Sequence, residues 1–552
     1  MSFEILTLPG DEDAVATQIS RVLERHLSAV GVDTELVLLP EEELRRRVLL
    51  SREYDLFVSS YPNVVDPDVF RVLLHSSFSN ELGWQNPFGY AGLDVDELLL
   101  EQRRVDETDR RSTVIDLQYE IVRQQPFAPV AVPDEIRAVR TDGFSGWNTF
   151  PPDSPLAFVT LDHDDGTARR LRAVATDDRM TRNLNPLAIE FRNRGQITGL
   201  IYDSLARYYA GTVRPWAAKG WEFEDLDDGE LAVTVTLRDD LQWHDGARLT
   251  ARDVAFTVRF LKDTSLGELD STAPAPRFRE QTSLIDDVRV LDERQVRLTF
   301  SDTSPQLATR ALTVPILPRR EWEDTSHAAE IAGVEASESV TEALVLSNQS
   351  PVGSGPFAFE SIVEGEQLLL GRYDDHFVNR NADDLSPELA TYFADGVPFQ
   401  ELSIRVVRSD EAAIQLLEAN EADAVVSHLD PGVVPKIGRT PEIDLQVDSS
   451  RMLYLVGFNG NREPLDNPHF RRFVARLLDK EVIVRDIFDG FATPAVSPLA
   501  RTDWLAPGLN WDGEDPEVPF LGTDGDLDVD RARNSLREAG FEFSENGTLL
   551  HR

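Results

Sequence analysis

The chain has 552 residues, of which 41% are hydrophobic and 28% charged, so it is long enough to fold into two to four domains with sizeable cores. Its formal net charge is -43, from 98 acidic and 55 basic residues, which disfavours nucleic acid as a partner because no basic patch is evident. It contains no cysteine, which excludes disulfides, thiolate metal sites, cysteine nucleophiles and a lipid-modified cysteine anchor.

The first sixty residues predict strands alternating with a helix. A strand over Phe3–Leu8 is followed by an amphipathic helix over Asp11–Ala29, which Gly31 ends, and then by a strand over Asp33–Leu39. A further strand over Asp55–Ser59 has consecutive apolar residues, which are typical of a strand buried on both faces.

Later segments repeat this alternation. Strands are predicted over Leu231–Leu237 and Leu402–Val407, and helices over Thr250–Leu261 and Asp410–Glu418. Alternating strands and helices predict an α/β fold with mixed sheets.

The acidic residues are spread along the whole chain, and only four of the 55 basic residues are lysines, namely Lys219, Lys262, Lys436 and Lys480. Such a surface repels itself at low ionic strength, and the repulsion is screened when the Debye length falls to about 3 Å near 1 M salt. The composition therefore indicates adaptation to a salt-rich environment. Acidity that serves solubility alone is the alternative.

Few residue patterns point to catalysis. Asp66 and Asp68 could form a carboxylate pair for acid–base chemistry, but chance pairs are expected among 98 acids. His244 could be oriented by Asp245, and the alternative is a tight turn that leads into a helix capped by Thr250. We favour the structural role in both cases and predict no catalytic residues.

Nucleophile and cofactor motifs are incomplete. Ser354 lies between Gly353 and Gly355 but lacks the glycine spacing of a nucleophile elbow, so these glycines are predicted to let the backbone turn tightly. The nine histidines show no metal-ligand spacing, and His163 among aspartates is a weak candidate. No phosphate-binding loop or dinucleotide fingerprint is present, so we predict no metal and no cofactor.

Four long segments occur in the order that is found in a known protein family. They are WHDGARLTARDVAF (243–256), SPVGSGPFAF (350–359), IQLLEANEADAV (414–425), and the stretch from YLVGFN to FATPA (454–495). Together they resemble the dipeptide- and oligopeptide-binding receptors of ABC transporters, which form extracellular solute-binding protein family 5. The resemblance covers most of the second half of the chain.

The resemblance also implies a rotated order of segments. Residues 1–160 are similar to the closing third of such a receptor, and residues from 170 onwards are similar to its opening two thirds. Circular permutation is tolerated where old termini lie close together and the new break falls in an exposed loop. Here the break would lie in the turn-forming Ser544–Gly547, and the old ends would be joined through Thr149–Thr176. A window cut from a longer or duplicated gene is the alternative.

The family fold implies a two-lobed, periplasmic-binding-protein-like α/β architecture of type II with an extra subdomain, here circularly permuted. Hinge closure over a ligand would bend the crossings near Ala128–Pro133 and Val456–Asn459. The implied parts are one lobe of residues 1–130 plus 459–552, another of residues 131–205 plus 346–458, and a smaller subdomain of residues 206–345.

The segment that follows the buried strand is the predicted ligand loop. In peptide-binding relatives an aspartate four residues before Pro67 pairs with the ligand's ammonium, and here that position is Asn63, whose neutral amide cannot supply the charge. The relatives' tryptophan near the start of the loop has no match unless Tyr61 takes its place with a one-residue gap, so the loop departs from the peptide-binding pattern. The predicted ligand contacts are Ser60, Tyr61, Asn63, Trp84, Asn185, Phe458 and Asn459.

The resemblance implies a non-catalytic, monomeric receptor outside the cytoplasm that closes over a peptide or similar small organic solute and docks on ABC permease subunits. The sequence has no run of eighteen apolar residues and no basic segment followed by an apolar one at its start, so neither a membrane span nor a signal peptide is predicted. An intracellular solute sensor or inactive module is therefore the first alternative. A hydrolase is the second.

Overall fold

The computed structural model of the chain forms two compact units. Unit 1 consists of Met1–Asp134 with Ser449–Arg552, and unit 2 of Glu135–Asp448. The chain therefore passes between them at 134/135 and 448/449, so the crossing predicted at 456–459 lies inside unit 1. The residues described are 2–62, 64–164, 166, 168–188, 196–209, 211–226, 229–329, 340–380, 385–394 and 396–550.

The strands of the described residues are, in chain order, β1 (Ser2–Thr7), β2 (Asp33–Leu38), β3 (Leu56–Tyr61), β4 (Phe127–Arg140), β5 (Phe144–Ser145), β6 (Asp162–His163), β7 (Ala168–Ala175), β8 (Ala206–Tyr209), β9 (Thr212–Pro215), β10 (Ala218–Asp225), β11 (Glu230–Leu237), β12 (Asp287–Val290), β13 (Gln295–Ser301), β14 (Phe357–Val363), β15 (Gln367–Arg372), β16 (Phe399–Val406), β17 (Ala424–Val425), β18 (Ile443–Ser449), β19 (Leu453–Phe458), β20 (Ala492–Pro494), β21 (Gly522–Thr523) and β22 (Asp526–Leu527).

The α-helices are α1 (Ala14–Val30), α2 (Glu41–Arg45), α3 (Val69–Leu74), α4 (Leu93–Arg104), α5 (Glu107–Gln124), α6 (Leu156–Val159), α7 (Arg179–Arg182), α8 (Thr198–Ile201), α9 (Ala251–Lys262), α10 (Arg279–Thr282), α11 (Pro305–Ala308), α12 (Arg319–Trp322), α13 (Glu342–Val345), α14 (Phe377–Arg380), α15 (Pro387–Ala390), α16 (Asp410–Glu418), α17 (Val434–Ile437), α18 (Pro468–Ala475), α19 (Lys480–Ile487) and α20 (Val529–Glu538). Within the described residues, none of these helices combines the length and apolarity needed to cross a bilayer.

Unit 1 is built on a mixed sheet whose strand order is β4-β19-β3-β1-β2, with β20 also paired to β4. The strand β1 runs parallel to β2 and β3, whereas β19 is antiparallel to β3 and β4. Parallel neighbours need a long crossover, and α1 supplies it between β1 and β2. The prediction of an α/β fold with mixed sheets is confirmed.

The strand β3 is buried on both faces of this sheet, as its apolar run predicted. Leu56, Phe57 and Val58 are all fully buried. Leu56 and Val58 belong to one hydrophobic core, whereas Phe57 and Tyr61 belong to the other, because successive side chains point to opposite faces. The two cores hold the end of β3, and with it the predicted ligand loop, in a defined place.

The helix α1 begins three residues later than predicted. The carbonyl of Pro9 accepts the N–H groups of Glu12 and Asp13 in a turn, and the Asp13 side chain then accepts the N–H of Ala16 at 2.8 Å as the N-cap. Gly31 ends the helix with φ +97°, as predicted.

The last described turn packs on the end of α1. A hairpin turn joins Phe543 to Leu549, and the N–H of Leu549 donates to the Gly31 carbonyl at 2.8 Å. Arg533 of α20 donates to the carbonyls of Ala29 and Val30 at 3.2 and 3.3 Å. A cation at this place is stabilised by the dipole of the helix C-terminus. Segments from both ends of the chain therefore complete one core in unit 1.

Unit 2 contains two larger sheets. One has the order β14-β15-β16-β7-β17-β4, in which β7 is parallel to both β16 and β17. The other is antiparallel, with the order β10-β11-β13-β12, and α9 contacts β12 and β13. Thr250 caps α9 in a capping box with Asp253, which confirms the predicted helix start.

We expect the thermal unfolding temperature to rise by on the order of 5 °C or more when KCl is raised from about 0.1 M to 2 M. The 98 acidic residues exceed the 55 basic ones by 43, so screening of repulsion outweighs the weakening of exposed ion pairs. Calorimetry in KCl would measure the shift, with sucrose as an uncharged control. A melting temperature that falls with KCl would contradict the expectation.

Candidate functional site

The predicted ligand loop leaves the end of β3 and is held by the neighbouring segment before β19. Tyr61 is the last residue of β3 and lies opposite Leu453 in the ladder with β19. The N–H of Val64 donates to the Arg451 carbonyl at 2.9 Å, which ties the middle of the loop to the same segment. Asn63, a predicted ligand contact, lies outside the described residues.

Two predicted contacts that are distant in sequence meet beside this loop. The rings of Tyr61 and Trp84 are 5.1 Å apart in an edge-to-face arrangement at 81°. Trp84 also packs edge-on against Phe57 at 6.1 Å, and both Tyr61 and Trp84 are buried. Ser60 is half-buried and lies opposite Tyr454 of β19. The start of the loop therefore stands on a packed aromatic pair.

The far end of the loop is held by buried arginines. Arg110 donates through both Nη atoms to the Asp66 carboxylate at 2.5 and 3.1 Å, and Arg103 donates through Nε and Nη2 to the Asp68 carboxylate at 2.6 Å each. The Gln102 amide joins the pairs, since it donates to Asp68 at 2.7 Å and accepts from Arg110 at 3.0 Å. We call these five residues the anchor network.

The anchor network explains the two aspartates that resembled an acid–base pair. Both oxygens of each carboxylate accept from a guanidinium, and the Asp66 carboxylate also accepts the N–H of Asp68 at 2.8 Å. Bidentate arginine–carboxylate pairing of this kind fixes geometry as well as charge. The structural role that we favoured for Asp66 and Asp68 agrees with these contacts.

Phe458 and Asn459 lie at the opposite end of the β3–β19 ladder from Tyr61. Phe458 is fully buried and faces Leu56, the first residue of β3. The Asn459 side-chain amide donates to the carbonyls of Tyr54 and Arg52 at 2.8 and 3.2 Å. The structure therefore does not bring these two predicted contacts to the ligand loop, and their role as ligand contacts stays a prediction.

Asn185 lies in unit 2 and is also buried. Its amide nitrogen donates to the carbonyls of Ala343 and Leu346 at 2.8 and 3.0 Å, and its side-chain oxygen accepts the N–H of Leu187 at 2.7 Å. These bonds hold the Asn185 turn against α13. Its predicted ligand contact likewise stays a prediction.

His244 is held by backbone groups of the Gly353–Gly355 segment. The Gly353 N–H donates to His244 Nδ1 at 3.3 Å, so the Nε2–H donates to the Gly355 carbonyl at 2.9 Å. Both ring nitrogens are thus engaged in a neutral imidazole, in agreement with the structural role. In the part of the chain that the structure describes, no three histidine or acidic side chains converge as a metal site would require.

The glycines beside Ser354 serve a close approach of two backbones rather than a tight turn. A Cβ on Gly353 would lie 1.9 Å from the Ile201 carbonyl oxygen, and one on Gly355 would lie 2.3 Å from the Leu200 carbonyl oxygen. The Gly355 N–H donates to the Ile201 carbonyl at 2.8 Å. The predicted turn is therefore corrected to a contact with the end of α8.

We expect the His244→Gln variant to lose part of the acid sensitivity of the wild type. Burial lowers the His244 pKa from 6.5 to about 4. At pH values between these two, the imidazole is therefore protonated in the unfolded chain and neutral in the folded chain. The contribution of neutral His244 to the free energy of unfolding is fully present above pH 6.5. It is lost as the pH falls towards 4, by up to about 3 kcal/mol. Urea unfolding from pH 7 to 4 would measure the difference.

The exposed His327 provides the matched control for this experiment. A His327→Gln variant exchanges the same two residue types at an exposed position, so it controls for the substitution itself. Equal pH profiles for the His244→Gln variant and the wild type would contradict the assignment.

Sequence reasoning missed the arginines and the glutamine of the anchor network. Gln102 and Arg103 lie in the last turn of α4, and Arg110 lies in the first turn of α5. In the sequence they read as ordinary polar helix residues. A signal existed in the two aspartates around Pro67, because buried carboxylates require partners, but only the packing of α4 and α5 identifies which arginines serve.

The sequence matches the family model described as "Bacterial extracellular solute-binding proteins, family 5 Middle" over residues 212–550. The chain is 26% identical over 327 residues to the oligopeptide-binding protein AppA of Bacillus subtilis, covering 58% of this chain and 51% of the relative. It is 23% identical over 369 residues to heme-binding protein A of Haemophilus influenzae, covering 64% and 59%. It is 22% identical over 354 residues to the dipeptide-binding protein of Escherichia coli, covering 62% and 58%. The chain thus spans between half and three fifths of these relatives.

The overall structural similarity of this chain to solved structures of similar proteins is low. NikZ from Campylobacter jejuni in complex with Ni(L-His) has a TM-score of 0.47 and 20% identity, with 73% of this chain and 66% of that chain covered. DppA from Helicobacter pylori in complex with the peptide STSA has a TM-score of 0.48 and 18% identity, with 67% and 66% covered.

Proposed function

Since the chain belongs to family 5 of the bacterial extracellular solute-binding proteins, we propose that it is the solute-binding receptor of an ABC importer. The observation that carries the proposal is the family match over residues 212–550, which includes all four segments quoted above in full. Family members are binding proteins rather than enzymes, and the contacts of Asp66, Asp68 and His244 suit such a role.

We propose a peptide or a similar small organic solute as the ligand. The relatives include proteins named for binding oligopeptides, dipeptides and heme, so the family alone does not select one solute. The buried rings of Tyr61 and Trp84 pack next to the loop, and aromatic walls with a few polar groups suit small-solute sites. Asn63 in the loop supplies a neutral amide where an ammonium would prefer a carboxylate.

Two units and two crossings of the chain support a hinged receptor. A solute that binds one conformation of the chain better than another would shift the chain towards that conformation, and the crossings at 134/135 and 448/449 are the places where the backbone could absorb such a change. In this proposal the protein acts as a monomer on the outer side of the membrane, where the closed state is recognised by permease subunits. The lobe and subdomain boundaries given above remain part of the proposal.

The rotated segment order is proposed as a circular permutation. It is supported by the contacts of Leu549 and Arg533 with the end of α1, which bring late and early segments into one core. A chain in which residue 550 is linked to residue 2 and opened between Asp164 and Gly166 should fold and bind the same solute. Loss of binding in a rearranged chain that still folds would count against the permutation.

Mass spectrometry of small molecules released from protein purified in high salt tests the receptor proposal. A mixture of peptides would support a peptide receptor, and a single non-peptide compound would support a receptor for another organic solute. Protein that is empty and binds no di- or tripeptide would argue against the receptor role, and turnover of a bound compound would argue for an enzyme.

The Tyr61→Phe variant tests the site itself. It keeps the ring that packs on Trp84 and removes only the hydroxyl, so we propose that it weakens binding while leaving the fold intact. Tyr54→Phe is the matched control, because the buried Tyr54 hydroxyl donates to the Pro87 carbonyl at 2.6 Å, away from the loop. Equal affinities of the two variants would remove Tyr61 from the site.

A further inference from the structure

We propose that Gln102 is a positioning residue for ligand binding, because it joins the two buried ion pairs under the ligand loop into one unit. The inference rests on the proposed receptor function and adds a residue that does not itself touch the solute. It follows from the contacts of the anchor network, which were defined above as Asp66, Asp68, Gln102, Arg103 and Arg110.

The Gln102 side chain is fully buried and has partners on both sides. Its Nε2–H₂ donates to Asp68 Oδ1 at 2.7 Å and to the Leu99 carbonyl at 3.3 Å, while its Oε1 accepts the Nε–H of Arg110 at 3.0 Å. A side-chain amide suits this place because it donates to an anion and accepts from a cation at once. Methionine has the same length but can do neither.

The charges of the network balance without Gln102, so its part is geometric. Asp66 with Arg110 and Asp68 with Arg103 are two neutral pairs, and the side chains of Asp68, Arg103 and Arg110 are at most 6% exposed. Without the amide, the Arg110 Nε–H and one Asp68 oxygen would each lose a partner in a buried place. The side-chain link between Asp68 and Arg110 would then be lost, and the bond from the Asp68 N–H to the Asp66 carboxylate would have to hold the two pairs in register.

A shift of the network reaches the loop through a short stretch of backbone. Asp66 lies two residues after Val64, whose N–H bonds to the Arg451 carbonyl at 2.9 Å. We expect movement of Asp66 to strain or open that bond. The Val64 amide is thus a local reporter of loop position that needs no ligand.

The test compares Gln102→Met and Gln102→Glu with a matched control, Gln118→Met. Gln118 is a buried glutamine of α5 that donates to the Trp504 carbonyl at 2.8 Å and accepts from the Ser497 hydroxyl at 2.9 Å. Its loss should lower global stability by a similar amount, and its hydrogen bonds go to residues 114 and 497–506 rather than to the ligand loop. Gln102→Glu keeps the shape but places a carboxylate against Asp68, so it should act more strongly than Gln102→Met.

Two measurements on the whole chain in about 2 M KCl decide the outcome. We expect hydrogen exchange at the Val64 amide to be about 10- to 100-fold faster in both Gln102 variants than in the Gln118 variant, and the affinity for an equimolar mixture of alanine di- and tripeptides to fall by a similar factor. Global unfolding in urea, measured in parallel, corrects for general loss of stability.

Each result supports or overturns the inference. Val64 exchange that is no faster in the Gln102 variants than in the Gln118 variant overturns it, and so does unchanged peptide affinity. If the wild type binds no peptide in the mixture, the receptor proposal for this solute class fails, while the exchange measurement still decides whether Gln102 positions the loop.

Discussion

Replacing Asp515 with asparagine is expected to lower the free energy of unfolding by about 3–5 kcal/mol at pH 7. The Lys480 ammonium lies 2.6 Å from the Asp515 carboxylate, and the two side chains are only 2% and 3% exposed. Asparagine keeps the shape, and its oxygen can still accept the N–H groups of Glu517 and Val518. The variant therefore removes mainly the charge and leaves the Lys480 ammonium buried without its counter-ion.

A double variant and an exposed pair provide the controls. Lys480→Met combined with Asp515→Asn removes both charges, so it should be more stable than Asp515→Asn alone. The ion pair of Lys436 with Glu418 spans 3.4 Å at 36% and 35% exposure, and Glu418→Gln should cost less than about 1 kcal/mol. Urea unfolding in about 2 M KCl would measure all of them. Equal losses for Asp515→Asn and Glu418→Gln would refute the prediction.

The Gly353→Ala variant is expected to lose about 3 kcal/mol of stability, the upper end of the range for overpacked sites. Its Cβ would lie 1.9 Å from the Ile201 carbonyl oxygen and 2.7 Å from the carbonyl carbon, and these are backbone atoms that no rotamer change can move. Relief of the clash requires the segment to leave the end of α8, which would break the bond from the Gly355 N–H to the Ile201 carbonyl and disturb His244.

Gly220→Ala is the matched control in the same unit. A Cβ there would meet nothing within 4 Å, and Gly220 lies in the strand β10 with no positive φ. Alanine should be neutral or stabilise by several tenths of a kcal/mol because it restricts the unfolded chain. Thermal and urea unfolding of the two variants would separate steric clash from the general effect of adding a methyl group. A Gly353→Ala variant as stable as Gly220→Ala would show that the two backbones can separate freely.

Both predictions depend on contacts between residues that are distant in sequence. Lys480 pairs with Asp515 only when the segment around Asp515 folds back on α19. A Cβ on Gly353 would clash only because the end of α8 lies beside it. In the sequence, Asp515 is one acid in an acidic stretch and Gly353 is one glycine of a turn-like motif. Their large expected effects come from burial, which a sequence does not state.

The candidate site shows the same limit. The segment from Ser59 to Pro67 was identified from its resemblance to a known family, and the structure adds the edge-to-face packing of Tyr61 on Trp84 and the anchor network. By contrast, Phe458 and Asn459 were predicted as ligand contacts because they were placed at a crossing between lobes, but they lie inside unit 1 at the other end of the β3–β19 ladder from Tyr61. Antiparallel pairing sets the end of β19 beside the start of β3, away from the loop that follows β3.

Features that depend on near neighbours along the chain could be predicted from the residues alone. The strand β3, the helix α1 with its Gly31 cap, the helix α9 with its Thr250 cap and the helix α16 all follow from apolar periodicity and capping groups within a few residues. The family also follows from the sequence, because ordered motifs survive without knowledge of packing. Three features required the folded chain: which arginines hold Asp66 and Asp68, why two glycines adjoin Ser354, and that late and early segments share one core. These features arise from burial and long-range contact, where the free energy depends on partners that the chain brings together only when it folds.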